Sequence, residues 1–195
     1  MRQAVARVQR LYDTGYRWVV HADIDAFFDQ IDHRLLLQKV TRLIRDERIL
    51  RLIELWVAAE VWDGRQVVTL TRGIPQGSVV SPILANLFLD ELDEALEAEG
   101  YRLVRFADDF LILCKTPEKA REGLELTEEV LNKMSLQLDQ ADVVHFDQGF
   151  TFLGVMFVRS MAMVPFHRAR PERKVLFVPP PLDLAAYRLK KARGG

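Results

Sequence analysis

Residues 105–113 read RFADDFLIL, with two adjacent aspartates, Asp108 and Asp109, inside a run that is otherwise mostly aromatic and aliphatic. The apolar residues on either side predict two short strands, and the aspartates then fall at or near the turn between them. Like charges side by side repel unless a cation sits between them or water surrounds them. An Asp-Asp pair on its own is as a rule surface turn chemistry. Its meaning here depends on what the rest of the chain brings to it.

Upstream, RWVVHADID (17–25) is another apolar run ending in acids, and it predicts a strand emerging from a core with Asp23 at its end. Asp32 is placed to cap a helix through LLLQKVTRLI. A second helix is expected from about Glu47 to Glu60, with Ile49, Ile53, Trp56 and Val57 on one face. Asp63-Gly64 predicts a turn and QVVTLT a strand. RGIPQGSVVSP (72–82), rich in Gly, Pro and Ser, reads as a loop. Ser81 as N-cap and Pro82 at the first helical position open a helix to about Ala98, which Gly100 ends. Beyond the aspartates, Thr116-Pro117 starts a helix to about Met134. VVHF and FTFLGVMFV are expected to be the two arms of a hairpin around residues 147–149. Strand pairs joined by tight turns alternate with helices, so the expected class is α+β, a mostly antiparallel sheet covered by helices. No internal repeat is visible.

Of the 195 residues, 49% are hydrophobic and 28% charged, enough for one sizeable core. The apolar runs are too short to span a bilayer, and MRQAVARVQR lacks the apolar centre of a signal peptide. The single cysteine, Cys114, rules out an intrachain disulfide and fits a reducing compartment, so a cytoplasmic location and no membrane are expected. Residues 161–195 carry eight Arg or Lys against two acids, +6, which leaves −7 on the other 160 residues. An acidic body with a basic tail fits a metal-binding site plus a phosphate-contacting extension, and equally a solvated tail. The four histidines show no ligand spacing, so zinc is not expected, and no phosphate-binding glycine motif occurs. Cys114 and the three tryptophans read as core or interface residues.

If the Asp23 strand lies beside the Asp108 hairpin in one sheet, three carboxylates meet at one edge and repel strongly at low dielectric. A divalent ion removes that repulsion. Mg²⁺ takes oxygen ligands and keeps its affinity for phosphates, and two such ions about 4 Å apart clamp both oxygens of a phosphoryl displacement.

VVHADIDAFFDQIDH (19–33), RGIPQGSVVSPILANLFLDELD (72–93), RFADDFLIL and FTFLG (150–154) resemble, in that order, four successive motifs of reverse transcriptases. The closest likeness is to the group II intron type and its bacterial relatives, among them CRISPR-associated enzymes, and it covers roughly residues 15–158. The resemblance implies a polymerase palm over residues 1–160 with partial fingers, no complete thumb, and a basic, proline-containing tail over 161–195. It implies an RNA-directed DNA polymerase that adds dNTPs to a DNA or RNA primer on an RNA template, using two Mg²⁺ ions for which Mn²⁺ substitutes. Asp23 and Asp108 would hold the metals with Asp109 beside them. Phe28 would be the aromatic gate against the sugar 2′-OH, its neighbour Phe27 being core. Gln76 and Gly77 would contact the incoming nucleotide, and Phe152, Leu153 and Gly154 the primer end, with Phe152 and Leu153 equally readable as core residues.

Three features depart from the family. Phe106 stands where tyrosine is usual. Ala141 stands for a lysine proposed to protonate the leaving pyrophosphate, which leaves His145 as a donor from elsewhere; general acid catalysis is worth about 10²- to 10⁴-fold. Fingers and thumb are short, as in a fragment of a longer or split protein, or one completed by a partner protein. The rival reading is therefore a catalytically silent palm that binds nucleic acid or a partner. An RNA polymerase or nucleotide cyclase is a further rival, against which Phe28 and the PQGS loop argue.

Overall fold

The computed structural model describes residues 1–62 and 65–163. The Asp63-Gly64 turn and residues 164–195 of the expected 161–195 tail lie outside the described residues; the first three, Met161–Met163, form a strand. The elements are α1 (Arg2–Asp13), β1 (Trp18–Ile24), α2 (Phe27–Gln30), α3 (His33–Leu43), α4 (Glu47–Val57), β2 (Glu60–Trp62) and β3 (Val67–Thr69). They continue with α5 (Ser81–Ala98), β4 (Arg102–Phe106), β5 (Asp109–Cys114), α6 (Pro117–Lys133), β6 (Leu138–His145), β7 (Phe150–Phe152), β8 (Val155–Val158) and β9 (Met161–Met163). This is the expected α+β class.

A four-stranded antiparallel sheet in the order β4-β5-β1-β6 carries the site. Its middle strands have both faces covered, which explains why VV and FLIL are continuous apolar runs rather than alternating ones. On one face, Val20, Ala22 and Ile24 of β1 and Phe110, Ile112 and Cys114 of β5 join Phe88, Leu89 and Leu92 of α5 and Leu131 of α6 in the larger core. On the other, Val19, Val104, Leu111 and Leu113 pack with Val8 of α1 and with Phe150, Phe152 and Phe157 of a small β7-β8-β9 sheet.

Asp32 caps α3 as expected, its carboxylate accepting from the Leu35 amide at 3.0 Å, and Thr116 caps α6 through the Lys119 amide. Four expectations are corrected. Helix α4 ends at Val57, because the chain turns there into β2. Only Ile53 and Val57 of its expected apolar face are buried; Ile49 and Trp56 are 45% and 47% exposed. Ser81 does not cap α5: the cap position is Val80, and the Ser81 hydroxyl donates instead to the Pro75 carbonyl at 2.6 Å, bracing the loop. VVHF and FTFLGVMFV are not two arms of one hairpin. Strand β6 pairs with β1, whereas FTFLGVMFV folds on itself as β7-β8 about a turn in which Leu153 and Gly154 both have positive φ, 52° and 72°.

Cys114 is buried at the end of β5, and burial pushes its thiol up to about 11. The thiolate is the reactive form. Alkylation at pH 8 is therefore expected to be far slower in the folded protein than in urea; equal rates would show that this edge of the sheet opens readily.

Candidate active site

The β4-β5 hairpin closes at Phe106 and Asp109, which face each other, so Ala107 and Asp108 form a two-residue turn with Ala107 at φ +57°. A non-glycine residue in that region costs roughly 1–2 kcal/mol. Strand β1 runs antiparallel to β5 with Ala22 opposite Phe110, so Asp23 lies one residue further, level with Asp109. Alternation along β1 puts His21 and Asp23 on the face away from the buried Val20, Ala22 and Ile24.

Asp23, Asp108 and Asp109 accordingly line one open cavity of about 440 Å³, together with His21, Gln140, Asp142, Thr151, Leu153 and Gly154. Burial and, next, the negative charge of Asp108 hold the Asp23 carboxyl above the ordinary carboxylate range. Asp109 and Asp139 add to that rise, while the Ile24 amide, donating to Asp23 Oδ1 at 3.0 Å, works against it. Asp109 has a partner of its own: its Oδ1 lies 3.2 Å from His21 Nε2. The His21 ring in turn meets Phe152 nearly edge-on, 6.2 Å between centroids.

Asp23, Asp108 and Asp109 thus come together as expected. Among the described residues no three His, Cys, Asp or Glu side chains already stand close enough to hold a metal ion by themselves. The donor set nonetheless suits a hard cation. It is all oxygen, it carries a repulsion that a cation relieves, and Mg²⁺ binds through one or two carboxylates plus substrate phosphates rather than through a protein cage.

The family pattern described as reverse transcriptase (RNA-dependent DNA polymerase) matches residues 3–157. The chain belongs to this family. Protein YkfC of Escherichia coli (strain K12) is 28% identical over 185 residues, covering 76% of this chain and 49% of that protein. The group II intron-encoded protein LtrA of Lactococcus lactis subsp. cremoris is 39% identical over 80 residues, 41% of this chain and 13% of LtrA, which bears out the group II intron likeness. The chain therefore spans about half the length of the first relative and a smaller part of the second. Apo telomerase of Candida tropicalis truncated from its C-terminal domain superposes with a TM-score of 0.64 at 12% identity, over 81% of this chain and 38% of that one. At that identity the likeness shows the fold, and with it the palm.

The remaining expected residues of this reverse transcriptase palm fall in three places. Phe27 is buried and Phe28 half-buried, their rings 5.3 Å apart, so Phe27 is the core member of the pair. Gln76 and Gly77 are exposed on a loop tied to α2, where the Ile74 amide donates to the Phe28 carbonyl at 2.7 Å. Neither they nor Phe28 line the cavity. Leu153 and Gly154 do, but Phe152 is fully buried. Phe152 is therefore the core member of FTFLG, its ring against His21, and only Leu153 and Gly154 face the cavity.

Two readings of the departures also change. Ala141 pairs with Ala22 and packs toward the helices, so a side chain there would point away from the cavity. Its neighbours Gln140 and Asp142, opposite Asp23 and His21, are the ones that face it. His145 pairs with Trp18 at the far end of β1 and is no donor for the site. Sequence reasoning missed His21, whose partner is 88 residues away. Arg72, at the start of the Gln76-Gly77 loop, donates to the Gln30 and Ser135 carbonyls, each at 2.7 Å.

Proposed function

We propose that this chain is the catalytic palm of an RNA-directed DNA polymerase, extending a DNA or RNA primer with dNTPs on an RNA template. The observation that carries the reading is the single cavity shared by Asp23, Asp108 and Asp109, with Asp23 held above its ordinary range by burial and by Asp108. Asp23 and Asp108 would hold two Mg²⁺ ions, which when bound lower the charge barrier between the primer hydroxyl and the nucleotide phosphates. Asp109 is steadied by His21 and supports that pair. Preorganised charge aimed at the reacting phosphate is the largest single contribution such a site makes to rate.

The other residues divide the remaining work. Gln76 and Gly77 lie on a loop braced by Ser81 and by the backbone of α2, next in the chain to the helix that packs on the sheet. Phe28, with its backbone locked to Ile74 and its ring on Phe27, is stiff enough to act as a steric gate. Phe28→Ala is expected to raise incorporation of ribonucleotides relative to deoxynucleotides by about tenfold or more, the scale of a lost close steric contact. Competing rGTP and dGTP in one extension assay measures it; an unchanged ratio removes Phe28 from the gate.

The second reading, a silent palm, is favoured by Asp142. It adds a negative charge to a cavity meant for phosphates, at a strand position next to where the lysine was sought. Primer extension on poly(rA) with oligo(dT), Mg²⁺ and labelled dTTP, run beside Asp108→Ala, separates the two. Extension lost in the variant supports the polymerase. No extension, and no thermal response to Mg²⁺, supports the silent palm.

A further inference from the structure

Arg105 lies next to the catalytic turn without lining the cavity. It sits opposite Phe110 in the β4-β5 ladder, on the helix-covered face of the sheet. Its side chain is 10% exposed and fully engaged. Nε donates to Asp93 Oδ1 at 2.8 Å and Nη2 to Asp93 Oδ2, a two-pronged pair with α5. Nη1 donates to Asn86 Oδ1 at 2.9 Å, also on α5, and to the Ala107 carbonyl at 3.1 Å.

The last of these contacts matters for the site. The Ala107 carbonyl belongs to the peptide that joins Ala107 to Asp108, so whatever holds that oxygen fixes the plane from which the Asp108 side chain leaves. Ala107 is in the left-handed region, where a residue with a Cβ relaxes unless its surroundings hold it. A guanidinium is well shaped for such a hold. It is planar and offers several donors in a fixed fork, so one group can grip a carboxylate and a carbonyl at once. Asp93 and Asn86 lie seven residues apart, two turns of one helix, and so present a single face to Arg105. That helix follows directly on the Gln76-Gly77 loop.

We infer that Arg105 is a positioning residue: anchored to Asp93 and Asn86 on α5, it clamps the Ala107–Asp108 peptide and so sets the direction of Asp108. The placement of the nucleotide-side helix is thereby transmitted to the carboxylate turn. The structural part of this inference stands on the hydrogen bonds alone, whereas its catalytic consequence rests on the polymerase reading.

The test uses the full chain with Arg105→Lys, and Asn86→Ala as a milder variant that leaves the ion pair with Asp93 intact. Lysine keeps the charge but cannot hold Asp93, Asn86 and Ala107 together. Amide hydrogen exchange, followed by NMR, is expected to quicken about tenfold at residues 107–109 in Arg105→Lys, less in Asn86→Ala, with Leu111 and Leu113 unchanged. Affinity for Mn²⁺, read by electron paramagnetic resonance, should fall about tenfold, as for other residues that orient a ligand from behind. Turn exchange equal to wild type in both variants overturns the clamp. Faster exchange restricted to the turn, with no Mn²⁺ binding even in wild type, upholds the clamp and rejects the metal reading instead. A uniform rise in exchange along β4 and β5 marks Arg105 as a general stabiliser and overturns the positioning role.

Discussion

Asp23→Asn is expected to abolish nucleotide addition while leaving the protein at least as stable as before at neutral pH. The two effects have one cause. Burial and the charge of Asp108 make the ionised form of Asp23 unfavourable in the folded protein. A carboxyl whose folded-state pKa is raised favours folding below its unfolded pKa, and that contribution is lost as pH rises through the folded pKa. At pH 7 the wild type therefore carries a cost that the neutral amide lacks, and below the carboxylate range the two proteins converge. Because Asp23 is substantially exposed, the gain in melting temperature should be small. The loss of activity should be large, about 10²-fold or more for removing preorganised charge at the reacting centre. Melting curves without divalent ions at pH 7 and about pH 3, below the ordinary Asp range, beside primer extension, check both halves. Mg²⁺ should raise the melting temperature of wild type more than that of the variant. A variant that extends primers normally would end the metal-ligand role of Asp23; one that melts lower at pH 7 would end the account of repulsion.

The same physics explains which parts of the molecule were legible in the sequence. Local signals held at two of the three expected helix caps, and failed at Ser81, whose hydroxyl is drawn off by the Pro75 carbonyl. Asp32 and Thr116 cap the helices they precede because a cap needs only the next three amides. The β4-β5 turn was legible because charge interrupts an apolar run at the middle. FTFLGVMFV misled because its turn has a single glycine and no polar residue, so an apolar run concealed two strands. The exposed Ile49 and Trp56 show the limit of periodicity: helical spacing says which residues share a face, not whether anything covers it. Helix α1 was missed although Ala4, Val5, Val8, Leu11 and Tyr12 recur at helical spacing; what covers that face, Phe146, Phe150 and Phe157, lies far along the chain. The three aspartates could be found by motif, but the side chains that steady them could not. His21 and Arg105 gain their roles only when strands remote in sequence come into register, as does the finding that Asp142, not Ala141, faces the cavity.

Gly73→Ala should be among the most damaging single substitutions outside the carboxylates, and the reason is backbone rather than side chain. Gly73 has φ +83°, and a Cβ there would stand 2.8 Å from the Cα and carbonyl oxygen of Asp29 and from the carbonyl oxygen of Phe28. None of these atoms can swing aside as a side chain would. The loop is also fastened on both sides: the Gly73 amide donates to the Ile31 carbonyl at 2.8 Å, and His33 Nε2 hydrogen-bonds the Gly73 carbonyl. Alanine therefore incurs roughly 1–2 kcal/mol for a left-handed conformation and about 1–3 kcal/mol for forced displacement of packed backbone. For a protein of this size about 3 kcal/mol lowers the melting temperature by roughly 6–12 °C. Gly15→Ala separates the two contributions, because Gly15 has φ +95° but open space where its Cβ would go. It should show the conformational part alone, about one third to one half of the drop. If both variants melt alike, the loop yields freely and does not press on α2. If Gly73→Ala melts far lower, the loop bearing Gln76 and Gly77 is set by direct contact with the backbone of Phe28. On the proposed nucleotide-contacting role of Phe28, Gln76 and Gly77, the surviving folded protein should then show a raised KM for dNTP with a lesser change in kcat, since Asp23 and Asp108, on the sheet, stay where they were.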